Sequence, residues 1–168
     1  MIRVAKTIGS SSRNSVSGGM KILELRDLME TNSASRELRD KRRILLIGSC
    51  LTYEHPEIVE KYVEGRVALK VCLEREHFNM ACLKLASIVA RVPIEEIVVL
   101  TVDGSPHCIQ LHFMMDEVEK VTGKSLNVKH IVVYKGKEVE VDRSRVKKAR
   151  YLSKLPGDLD DNTSIRCQ

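Results

Sequence analysis

Three of the five cysteines stand just past the end of a predicted β-strand: Cys50 after RILLIGS, Cys72 after RVALKV, and Cys108 in VVLTVDGSPHC. In a parallel sheet those ends share one edge, and open α/β folds bind ligands there. Thiols far apart in sequence therefore gather in one crevice. Neighbouring strands lie about 4.8 Å apart, so thiols at their ends can share a metal ion or cluster. An iron–sulfur cluster needs Cys thiolates, most often four. With Cys50, Cys72 and Cys108 as metal ligands, the fourth would be Cys82 or, through imidazole, His77, His107 or His112. Three Cys and one His equally satisfy tetrahedral zinc. Cys82 also has a plainer reading, as a small core residue on an apolar helix stripe.

A second chemistry is thiol catalysis. Cys108 falls in the first turn of a helix opened by Ser105 and Pro106, where unpaired N–H groups and the helix dipole lower a thiol's pKa. His112 follows one turn later on the same face, a candidate base that Asp103 or Glu76 could orient. Other sulfur chemistries are excluded. There is no C-x-x-C pair, which removes thioredoxin-type and zinc-ribbon motifs. A C-x5-R phosphate loop needs Arg six residues past a Cys, where this chain has Pro56, Phe78 and Met114. GSCLT lacks the glycines of a dinucleotide fingerprint or P-loop. The third possibility is that the cysteines are simply buried.

These residues depend on an alternation of strands and helices. RRILLIG is a continuous apolar run flanked by charge, the pattern of a strand buried on both faces. YEHPEIVEKYVEG predicts a helix with Pro56 in its first turn and Gly65 at its stop. VALKVC is the second strand. In EHFNMACLKLASIVAR, Phe78, Ala81, Cys82, Leu85, Ala86 and Val89 form one apolar stripe. EIVVLTV is the third strand, and the helix after Ser105 runs to Gly123 with Leu111, Met114, Met115, Val118 and Val121 on its buried face. HIVVY, a Lys135-Gly136 turn and EVEV predict a β-hairpin. DRSRVKKARYLSKL predicts a final basic helix. Leu23, Leu25 and Leu28 fit either a short helix or an edge strand.

The fold class is thus α/β: a single Rossmann-like three-layer domain, its sheet mostly parallel with a C-terminal β-hairpin. Its expected bounds are 20–155, between a disordered N-terminal arm (1–19) and a polar C-terminal tail (156–168) that contains Cys167. Met20 offers an alternative translation start. The chain of 168 residues suits one domain. With 43% hydrophobic and 30% charged residues, no apolar run of membrane length and no secretory leader, the expected location is cytoplasmic, with no membrane partner. The net charge of +5 sits largely in the terminal regions. Aromatics are only 4%, too few for a stacking platform, so nucleic acid is not an expected partner. A non-catalytic interaction module using the basic C-terminal helix is the remaining alternative.

The stretches LLIGSCLTYEHPEIVEKYVEGRVALKVC and EEIVVLTVDGSPHCIQLHF resemble an uncharacterised prokaryotic α/β family labelled iron–sulfur or 4Fe–4S ferredoxin-like, over roughly residues 41–153. The resemblance implies a 4Fe–4S cluster on Cys50, Cys72, Cys108 and Cys82, electron transfer, and a redox partner protein. ACLKLASIVARVPIEEIVVL is similar to the helix–strand unit of β-class carbonic anhydrases, which hold zinc. Those have Cys-x-Asp-x-Arg where this chain has Cys50-Leu-Thr-Tyr-Glu. The leading expectation is an iron–sulfur or metal-binding protein, with zinc as the alternative metal and a thiol or zinc enzyme centred on Cys108 as the alternative activity.

Overall fold

The computed structural model describes residues 25–152. The expected arm (1–19) and tail (156–168), with Cys167, lie outside the described residues. In chain order the first elements are β1 (Arg26–Asp27), α1 (Arg36–Lys41), β2 (Arg43–Gly48), α2 (Leu51–Glu54) and α3 (Pro56–Val63). They are followed by β3 (Val67–Val71), α4 (Phe78–Arg91), β4 (Glu96–Val102) and α5 (Pro106–Thr122). The last are β5 (Val128–Tyr134), β6 (Lys137–Val141) and α6 (Arg143–Lys148).

The six strands form one sheet in the order β1-β3-β2-β4-β5-β6. All pairs are parallel except β5–β6, the hairpin closed by Lys135 and Gly136, both at positive φ. After Arg43, strand β2 is apolar and buried because it is central, with Leu46 flanked by Leu69 of β3 and Val99 of β4. Its alternate residues feed two cores. Ile44 and Leu46 join Leu85, Ile88, Leu111 and Met115 under α4 and α5. Leu45 and Ile47 join Ile58 and Val59 under α3. Helices therefore cover both faces of a mostly parallel sheet, the expected α/β fold.

Chain direction creates the site. From β2 the chain steps to β3 on one side, then returns past β2 to β4 on the other. Right-handed crossovers force α3 onto one face and α4 and α5 onto the other. The carboxyl ends of β2 and β4 are adjacent strands whose connections diverge, the switch point where open α/β sheets leave a crevice.

Three local details matter: one settles a choice the sequence leaves open, and two differ from expectation. The segment near Leu25 and Leu28 pairs as the edge strand β1. Val121 is exposed at the end of α5, whereas His112 and Asp116 are buried on that helix. Both gain polar partners there: His112 meets Thr101, and Asp116 meets Arg143. The basic helix is shorter than expected, ending at Lys148. No helix among the described residues is long and apolar enough to cross a membrane.

Candidate functional site at the carboxyl edge of the sheet

Two expected cysteines meet at the switch point. Cys50 follows β2 and precedes the first residue of α2. Cys108 is the third residue of α5, and its N–H donates to the capping Ser105 Oγ at 3.2 Å. The Cys50 and Cys108 thiols are near enough that Cys108 influences the titration of Cys50. Burial pushes the Cys50 thiol above its ordinary range, and the neighbouring Cys108 pushes it further. Gly48 makes room for this pair: a Cβ there would lie 3.1 Å from Cys108 Sγ and 3.7 Å from Thr101 Cβ.

The other cysteines go elsewhere. Cys72 follows β3, one strand over, and its carbonyl accepts from the N–H groups of Arg75 and Glu76. Cys82 packs in the core between α4 and α5, where burial and then Glu117 raise its thiol pKa. Among the described residues, no three or more His, Cys, Asp or Glu side chains are grouped so that they could hold a metal ion. The edge thus brings together two sulfurs of the proposed four.

The expected histidines also have other work. His77 precedes α4, and its carbonyl accepts from Met80 and Ala81. His107 faces Glu74 at 3.7 Å. Both ring nitrogens of His112 are engaged: Nε2 lies 2.9 Å from Thr101 Oγ1, and Nδ1 lies 3.0 Å from His130 Nδ1. His112 therefore has no free ring nitrogen to serve as base for Cys108. Asp103 and Glu76 do not orient it; Thr101 and His130 do.

His130 is the residue that sequence reading missed. It sits in an apolar strand, at the phase that points toward α5, and the signal was its alternation with Val132 on that face. Both imidazoles are buried. Burial, followed by the proximity of His130, lowers the His112 pKa to about 3. Burial, with Arg143 next, lowers that of His130. The rings are neutral, so in their mutual hydrogen bond one Nδ1 donates and the other accepts.

Beside this line lies a cavity of about 480 Å³, bounded by the β4–α5 turn, β5, β6 and α6. Thr101 and His112 reach its lining, among walls that include Ile109, Val132 and Val146. Thr101 also neighbours Gly48 in the crevice, so the thiol pair and the cavity adjoin without sharing a sulfur.

No curated protein and no solved structure matches the chain. A family model described as a Rossmann-like domain matches residues 36–164, from the start of α1 past the end of α6, and the chain belongs to that family.

Proposed function

We propose that this Rossmann-like protein works through sulfur, with Cys50 and Cys108 as a two-thiolate site for a soft metal ion at the switch point. The observation that carries the reading is the proximity of these two thiols beside Gly48 at the switch point of the sheet. Burial first, and then the repulsion between adjacent thiolates, makes Cys50 hold its proton more tightly than a free thiol. A soft cation between them replaces the protons and removes the repulsion. Copper(I) and zinc fit the donor chemistry, with zinc taking its remaining ligands from water or an exogenous molecule.

A 4Fe–4S cluster is the four-thiolate form of the same idea, and the described residues do not by themselves fit it. Among the described residues no three such side chains gather at one point, and Cys82 lies in the α4–α5 core, so the two-thiolate ion is the better-supported reading. A redox partner would follow only from a cluster. The thiol-enzyme alternative loses ground because His112 is committed to Thr101 and His130.

Anaerobic purification followed by elemental analysis and an absorption spectrum tests the proposal. About one zinc or copper ion per chain is expected, lost in both Cys50→Ser and Cys108→Ser and kept in Cys82→Ser. Binding should weaken as pH falls, because protons compete for the thiolates. Iron with visible absorption would replace this reading with the cluster. Failure of the purified protein to take up added zinc or copper(I) sinks both.

A further inference from the structure

The cavity beside the thiol pair carries a second reading, independent of the first. Its volume of about 480 Å³ falls within the range of small-molecule sites, roughly 300–1,000 Å³. Four elements supply apolar walls: Ile109 from α5, Val132 from β5, Val141 from β6 and Val146 from α6. Thr101 and His112 interrupt them with polar atoms. An apolar enclosure with a few convergent polar groups is the usual form of a ligand pocket.

The hydrogen bonds around Thr101 define what can meet it. If His112 Nδ1–H donates to His130, then His112 Nε2 is bare and the Thr101 hydroxyl donates to it. The Thr101 oxygen then keeps lone pairs to accept another bond. If His130 donates instead, His112 Nε2–H donates to Thr101, whose own hydroxyl proton stays available. In both tautomers Thr101 keeps one neutral hydrogen-bonding function. The adjoining imidazole is also uncharged across the physiological range. A charged group placed against this pair would lose its hydration without gaining a counter-ion.

The ionisable residues of the lining are at its margin. Arg145 is largely exposed and lies 3.5 Å from Asp142, so its charge already has a partner at the surface. Asp103 follows the end of β4 and its backbone N–H donates to Val133. These groups of opposite sign leave the cavity no net preference for an anion. We propose that the cavity binds a small, neutral, mainly apolar molecule carrying one hydroxyl or carbonyl, with that group hydrogen-bonded to Thr101.

The probes are 2-naphthol, neutral at pH 7, and 2-naphthoate, a carboxylate of similar shape. Calorimetric titration would measure affinity, and methyl NMR would locate binding at Val132, Val141 and Val146. The expected result is at least tenfold tighter binding of 2-naphthol, with shifts confined to those methyl groups. Thr101→Ser should keep that preference, and Thr101→Val should reduce it about threefold to tenfold while apolar binding persists. Val146→Phe, which fills the cavity from α6, should abolish binding of both probes without changing metal uptake. Should 2-naphthoate bind as tightly as 2-naphthol, or methyl shifts arise elsewhere, the proposal is overturned. If the threonine variants unfold, Val146→Phe and the naphthol–naphthoate ratio in wild type still decide it.

Discussion

The two ends of the same sheet treat ionisable groups in opposite ways. At the amino edge, Glu96 opens β4 as a buried carboxylate and is met by Arg66 at 2.8 Å, Arg43 at 3.4 Å and Lys129 at 3.5 Å. Burial alone would raise its pKa, but those cations, Arg66 foremost, outweigh it and hold Glu96 below its ordinary value. At the carboxyl edge the Cys50 thiol is pushed up, and farther into the sheet His112 and His130 are pushed down, so burial keeps both rings uncharged. The first arrangement is complete, with charge neutralised by fixed partners in the chain. The second leaves protonation states that an arriving ligand or ion can change. This difference separates an edge whose buried charge is fully partnered from one whose buried groups are neutral.

Acid should break the contrast most strongly. Unfolded histidines take up protons near pH 6.5, but His112 in the folded chain resists until about 3, and His130 is lowered as well. Their stabilisation is whole above pH 6.5 and declines as pH falls toward the folded values. The slope is up to about 1.4 kcal/mol per pH unit for each ring, several kcal/mol in all. Urea unfolding at pH 7, 6 and 5 should show it. An unchanged midpoint across that range would mean that the folded rings accept protons and that the carboxyl edge is not held neutral.

Removing the charge at the other edge comes next. Glu96→Gln should cost about 2–3 kcal/mol at pH 7, because three cations lose their shared partner. Glu96 has a lowered folded pKa, so its contribution is present above the ordinary carboxylate range and disappears as pH falls through the folded value. The difference between mutant and wild type should therefore narrow in acid. A difference that stays constant would assign the loss to packing.

Smaller effects sharpen the contrast at single contacts. Gly48→Ala should destabilise by about 1–2 kcal/mol through its crowding against Cys108 Sγ. In a Cys108→Ala background the cost should vanish. A cost that survives there would place the crowding elsewhere. Asp142→Ala should cost about 1 kcal/mol, because its carboxylate accepts from the N–H groups of Ser144 and Arg145 at the start of α6. Thermal melts measure both, and the second loss should also weaken 2-naphthol binding, since α6 walls the cavity.

Local chemistry was readable along the chain. The apolar runs of β2 and β4, the Ser105–Pro106 helix start and the Lys135–Gly136 hairpin all follow from short-range patterns. Those patterns also place Cys50 and Cys108 at the correct edge. The missing part was pairing across distance. The line from Thr101 to His112 to His130 depends on β4–β5 register and on how α5 lies over both strands. No short window of sequence contains that relation. His130 looks like a polar interruption of HIVVY until its strand neighbour is known. Gly48 looks like strand-end punctuation until Cys108 arrives from the other side of the switch point.

The outermost strands have a consequence for the molecule among its own copies. One rim is β1, two residues long, and the other is β6, where Lys137, Glu138 and Glu140 are exposed and Glu138 is held by Lys61 and Tyr62. A foreign strand needs a long, flat, uncharged ladder to zip onto. Among the described residues, one rim is too short to supply it and the other presents charge. Among the described residues the sheet has no ready first rung on which successive chains could stack into a ribbon.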